Sequence, residues 1–197
     1  VPALRVAALL HDVGKPDCRK ADDKGRAPFF GHAGKGADMA KGILKRLKFD
    51  NDTLRMAEKL VRHHSDAIEP TEKQVRRMLN RVGEDTFPLL LLLMEGDNMG
   101  KTPDGTNERL SRLRQVHRIY QDILERRDCV SLKTLELTGD DLLAAGVPKG
   151  RQIGEILQYC LELVLEEPEK NRHEVLLRAA LEKYEETGGK GAAETKE

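Results

Sequence analysis

The sequence contains no tryptophan, and aromatic residues fill only 4% of its 197 positions. Its core must therefore be built mainly from Leu, Ala and Val. Neither charge is in excess, since 34 Lys and Arg stand against 34 Asp and Glu. Such a balance excludes a global electrostatic case for nucleic acid and leaves room only for a local one. No apolar stretch approaches the roughly 20 residues that span a bilayer. The longest, Leu89 to Met94, is followed at once by Glu95 and Asp97. No secretory leader is visible, and no membrane partner is expected. The three cysteines, Cys18, Cys129 and Cys160, are far apart, odd in number and without CxxC spacing. That argues against a disulfide framework and fits reduced thiols in the cytoplasm. The chain also begins without methionine, on apolar residues, which reads as a piece of a longer protein cut just ahead of its first helix.

What is present is helix. Charged residues make up 35% of the chain, a profile of salt-bridged helical faces over aliphatic cores. The expected class is all-α, with no strand pattern and no internal repeat. A first helix over about residues 3–13 is apolar except at Arg5 and is expected at the centre of the domain. A loop follows over 16–31, holding Asp22-Asp23-Lys24-Gly25-Arg26 and then Phe29-Phe30 as a core anchor. Further helices are expected over about 32–47, 51–67 with Asp50 or Asn51 as cap, 71–82, 86–99 and 107–127. The pattern breaks over 128–138. Beyond it come helices near 138–146, 151–166 and 171–184, then a tail over 187–197 expected to be disordered. The resulting division is a helical bundle over 1–127, a smaller helical lobe over 128–186, and the tail.

The residues that stand out are polar groups where apolar ones are expected. His11 and Asp12 close the first helix before Gly14-Lys15-Pro16. A buried carboxylate is costly unless something positive meets it. His32 opens the next helix on its inward side. At 100° per residue His64 falls in the middle of the stripe made by Ala57, Leu60 and Val61, with His63 at its edge. Asp97 ends the most apolar helix. Imidazole and carboxylate donors suit Mn, Fe, Co, Ni, Zn or Mg, and such an ion can activate a water and polarise a phosphoryl oxygen. Lys15 is placed to meet phosphate charge. His117 and His173 read as surface or satisfied residues, and Asp50-Asn51-Asp52 as helix capping.

His11-Asp12 with Gly14-Lys15 resembles the HD-superfamily metal-dependent phosphohydrolases. More narrowly, the run Leu10 to Pro16, Phe30-Gly31-His32, Val61-Arg62-His63-His64 and Gly96-Asp97-Asn98-Met99 is similar to the HD region of bacterial CCA-adding-type tRNA nucleotidyltransferases. Leu137 to Leu143 and Gly146 to Gly154 resemble that family's C-terminal segment. The resemblance implies a divalent metal (Ni, Mn, Mg, Co or Zn) held by His11, Asp12, His32, His64 and Asp97. Asp12 and Lys15 would be the catalytic pair, with His63 a second-rank metal or substrate residue. If two ions bind, Asp12 is shared, with His11 and Asp97 on one and His32 and His64 on the other. The substrates implied are tRNA or a phosphate-ester small molecule, with tRNA 3′-end processing as the setting. Lys149-Gly150-Arg151, at a helix N-terminus, is the implied contact to tRNA phosphates.

Two departures bear on this. The family's early His has no match, because nothing precedes Val1. The nucleotide-adding domain, with its Gly-Ser and paired-carboxylate signature, is absent, so this chain is not expected to add CCA by itself. The alternatives are a non-catalytic HD body that positions tRNA and an HD nucleotide phosphohydrolase. Against the latter, the Gly-Tyr-Pro signature of cyclic-dinucleotide enzymes is missing. The acidic pair of alarmone hydrolases is replaced by Lys15-Pro16.

Overall fold

The computed structural model describes residues 1–19, 29–101, 103 and 105–187. Among them are ten α-helices, two short 3-10 turns and no strand. The charged part of the expected loop, residues 22–26, and the tail from residue 188 lie outside the described residues. No described helix is long and apolar enough to cross a membrane. The chain divides into two compact units. One holds Val1–Thr71 and Arg81–Ile119, the other Glu72–Asn80 and Tyr120 onward.

The first unit is built on α3 (His32–Arg46) and α4 (Asn51–His63), which pack closely along their length. Small residues make this possible: Ala37, Ala40 and Ala57 are fully buried, beside Leu44, Leu60 and Val61. Asp50 starts α4 by accepting a hydrogen bond from the Thr53 amide at 2.8 Å, which satisfies one of the amides left free at a helix start. α6 (Phe87–Met99) completes the layer through Phe87 and Leu90, both fully buried. The N-terminal part of α7 (Thr106–Arg126) belongs here too, with Val116 buried.

α1 (Pro2–Leu10) corrects an expectation. It is not central. Only Ala3 and Ala7 are buried, and Leu9 is 82% exposed. The pair Ala3 and Ala7, one turn apart, seats the helix on α4, so a narrow ridge of small residues makes the contact and the larger apolar residues lie elsewhere. Apolar composition alone does not say how many faces are covered. The helix also stops at Leu10, and His11 to Gly14 form a turn leading into the single helical turn α2 (Lys15–Cys18). Of the expected Phe29-Phe30 anchor, Phe30 is corrected, being 85% exposed, while Phe29 is half-buried.

The second unit contains the greater part of α5 (Glu72–Val82), the C-terminal end of α7, α8 (Gly139–Ala144), α9 (Arg151–Glu166) and α10 (His173–Glu186). Its core joins Leu79, Ile123, Leu142, Ile156, Leu161 and Leu176. α8 opens on a capping box: the Thr138 hydroxyl accepts from the Asp141 amide, and the Asp141 carboxylate accepts from the Thr138 amide. The guanidinium of Arg76 is buried. It donates to the Leu165 and Glu166 carbonyls at 2.9 and 3.2 Å, and so caps the C-terminus of α9. Asp128 and Glu72 neutralise it at 3.3 and 3.0 Å.

Candidate metal centre

The turn after α1 carries His11 and Asp12, and its position depends on a close backbone contact. A Cβ at Gly14 would stand 2.4 Å from the His32 carbonyl oxygen and 2.6 Å from the Gly36 amide nitrogen. Only glycine lets the turn lie directly on the start of α3. Gly36 meets it from the other side, its own Cβ position lying 3.4 Å from the Gly14 nitrogen. Gly31, with φ +78°, takes the left-handed conformation that leads into α3. These contacts set His32 beside Asp12.

Asp12, His32 and His64 present donor atoms that all lie within 4.8 Å of one another. Asp12 Oδ1 is 3.7 Å from both His32 Nε2 and His64 Nε2. His11 Nε2 lies 3.3 Å from Asp12 Oδ2 and 3.6 Å from Asp97 Oδ1. Five of the expected residues thus converge from α3, α6, the end of α4 and the turn after α1. His64 occupies the position just past α4, with helical φ and ψ, so the periodicity that points it inward still holds. His63 turns to Asp66 instead, its Nδ1 at 2.8 Å from the carboxylate. Lys15 Nζ donates to Asp12 Oδ2 at 2.6 Å and lies 5.8 Å from the Phe29 ring centre.

All three clustered imidazoles are held in the same way. The Nδ1 of His11, His32 and His64 donates to the carbonyl three residues earlier, at 2.8, 2.8 and 2.7 Å. That hydrogen bond assigns the tautomer and leaves Nε2 as an inward lone pair. His32 Nε2 and His64 Nε2 then face each other at 3.3 Å, acceptor against acceptor. A shared proton or a cation resolves such a contact. Burial pushes the His64 pKa down, and the neighbouring His11 and His32 push the same way, outweighing the Val61 carbonyl and Asp12. The lowered His64 pKa disfavours a proton on that ring, and a cation would resolve the contact as well. Burial acts to raise the Asp12 pKa, but the Lys15 hydrogen bond and the nearby His11 outweigh it and hold the carboxyl below its ordinary value. The lowered pKa values of His64 and Asp12 both favour the deprotonated donors a divalent ion requires. The donor set fits Mn, Co, Ni, Zn or Mg, and no single one of them is selected.

A cleft of ≈ 650 Å³ opens on the cluster between α1 and α6, with His11, Asp12 and Lys15 on one wall and Asp97 and Lys101 on the other. Lys101 was not foreseen from the sequence. It donates to Asp97 Oδ2 at 2.5 Å, and its place four residues after Asp97 was the available signal. Lys149 and Arg151 are exposed where Gly150 begins α9, and Arg151 pairs with Glu155 at 2.7 Å. His173 pairs with Asp141 at 3.4 Å.

Residues 28–180 match the family model described as tRNA nucleotidyltransferase domain 2, putative. The chain belongs to that family. Within this domain 2 sequence the match takes in His32, His64 and Asp97, while His11 and Asp12 precede it. The chain is 34% identical over 160 residues to the CC-adding tRNA nucleotidyltransferase of Thermus thermophilus, covering 80% of this chain and 35% of that protein. It is 32% identical over 161 residues to the A-adding tRNA nucleotidyltransferase of Deinococcus radiodurans, covering 81% of this chain and 37% of that one. The domain 2 chain therefore spans about a third of the length of these curated relatives. No solved structure matches it.

Proposed function

We propose that this chain is the helical C-terminal part of a CCA-adding-type tRNA nucleotidyltransferase protein, acting at the tRNA 3′ end, and that its His/Asp cluster is a metal-dependent phosphohydrolase site. The substrates of that site are 2′,3′-cyclic phosphodiesters or phosphomonoesters. On this reading the unit of Val1–Thr71 and Arg81–Ile119 is the hydrolytic body, and the tRNA-contacting part lies in the other unit, over residues 128–186. One observation carries the hydrolytic part: the His32 and His64 Nε2 atoms meet at 3.3 Å with both Nδ1 atoms committed to carbonyls. His11, Asp12, His32, His64 and Asp97 would hold a divalent ion, which supplies Lewis acidity toward a phosphoryl oxygen and an activated water. The three backbone-anchored imidazoles keep their rings fixed, so the site needs little reorganisation. Lys15, at the mouth of the cleft, meets the charge of the phosphate. The names of the two relatives support the tRNA setting, and the exposed Lys149 and Arg151 beside Gly150 suit backbone phosphates without base reading.

A second reading is a non-catalytic helical body that positions tRNA. The family match favours it in one respect, since residues 28–180 leave the His11-Asp12 doublet outside. The two readings part on one experiment. Bound metal is measured for the purified chain, along with hydrolysis of a 2′,3′-cyclic nucleotide in Ni or Mn, with and without Asp12→Ala. The hydrolytic reading expects about one or two ions per chain and a loss of activity of at least about 100-fold in the variant. Absence of both metal and activity leaves the positioning reading. On either reading the salt-dependent affinity for tRNA should weaken in Lys149→Ala/Arg151→Ala.

A further inference from the structure

The cleft has a charge pattern that the hydrolytic reading does not use. Each of its two carboxylates is shared between the imidazoles and a lysine. Asp12 turns Oδ1 to His32 and His64 and gives Oδ2 to Lys15 at 2.6 Å. Asp97 turns Oδ1 to His11 and gives Oδ2 to Lys101 at 2.5 Å. Among the described residues, the charged groups lining the cleft are these two carboxylates and two ammoniums, with His11 the other titratable group. With neutral imidazoles the formal charge is zero, and each lysine is occupied by its carboxylate. In this state no cation among the described lining residues is uncommitted for a phosphate.

We infer that Lys101 is a phosphate-positioning residue, and that it and Lys15 couple anion binding to metal binding. The inference rests on the proposed metal site. A divalent ion held by the Asp12, His32 and His64 cluster, with Asp97 reached through His11, draws on the negative charge that holds the two lysines. The net charge of the lining groups rises by two, and the lysines become available at the cleft surface, where Lys15 and Lys101 side chains are 34% and 47% exposed. A phosphate dianion then meets two ammoniums on opposite walls of the cleft. Linkage makes the coupling reciprocal: phosphate must tighten the metal by the factor by which metal tightens phosphate.

Substitution of Lys101 should therefore act in opposite directions on the two ligands. The metal competes with Lys101 for Asp97, so Lys101→Gln should bind Mn more tightly, by about threefold, the scale of a partly exposed ion pair. The same variant, once loaded with Mn, should bind inorganic phosphate about tenfold more weakly, because a charge-assisted contact is lost. Lys101→Arg should restore phosphate affinity in part. The measurement is calorimetric titration of the chain with Mn, and with inorganic phosphate in the presence and absence of Mn. In the wild type, phosphate binding should require Mn. Two ligands weakened together in Lys101→Gln would mean a scaffold role and overturn the inference. So would either affinity left unchanged, or phosphate bound equally well without Mn. A wild-type chain that takes up no Mn at all overturns the metal site itself, and the coupling with it.

Discussion

Arg76 and His64 are both buried polar groups, 2% and 3% exposed, and they are satisfied to different degrees. Arg76 in the second unit has an acceptor for each of its three nitrogens: two carbonyls at the end of α9 and the carboxylates of Glu72 and Asp128. Its charge is balanced within the protein. His64 in the first unit has Nδ1 committed to Val61 and Nε2 directed at another imidazole nitrogen. Its Nε2 has an imidazole nitrogen at 3.3 Å and the Asp12 carboxylate at 3.7 Å, so its donors and acceptors do not close among themselves. Burial alone does not separate a structural polar group from a functional one. What separates them is whether the donors and acceptors close among themselves.

The largest effect should come from breaking the closed network. Arg76→Met leaves Asp128, whose side chain is 6% exposed, with Arg126 as its remaining partner among the described residues, and leaves the α9 carbonyls uncapped. A loss of about 3–5 kcal/mol is expected, as for other buried pairs that lose one partner, read from the urea midpoint. An unchanged midpoint would show that the network does not hold the second unit together. Gly14→Ala comes next. Its Cβ would stand 2.4 Å from a backbone oxygen and 2.6 Å from a backbone nitrogen, neither of which is a flexible side-chain end. About 2–3 kcal/mol is expected from such overpacking, together with loss of bound metal. Full metal content at lower stability would show that the turn and α3 need not touch to build the site.

Much of this was legible in the sequence, for identifiable reasons. Helical period and caps are local, so α3, α4, α6 and α9 could be read from their own residues, and Asp50 from its position ahead of Thr53. His64 was legible because one polar residue in an apolar stripe is anomalous at fixed period. The His11-Asp12 turn could be singled out by type. That it lies on Gly14 and Gly36 could not, because that contact joins positions 22 residues apart and glycine leaves no side-chain pattern. The exposure of Leu9 was missed because an apolar run shows which residues favour burial, not how many neighbours are at hand to bury them. Lys101 lies between the helices read over 86–99 and 107–127, although its spacing from Asp97 is that of a helical ion pair.

The smallest effect sharpens the comparison by pH. Burial and the neighbouring imidazoles depress the His64 pKa in the folded chain, so the unfolded chain binds its proton more readily. Between the depressed value and the ordinary one near about 6.5, the unfolded state carries more protons, and stability rises with pH. Acidification through that range should therefore destabilise the metal-free chain. The Arg76 network contains no imidazole and should be indifferent. Asp12, also held below its ordinary pKa, contributes stability that is lost only in the more acid carboxylate range. Urea midpoints of the metal-free chain at about pH 7.5 and about pH 5.5 should differ, with the acid one lower. The difference should shrink in His64→Gln, which cannot take up the proton. An equal pH dependence in that variant would place the sensitivity elsewhere and remove the argument that His64 is held neutral for a cation.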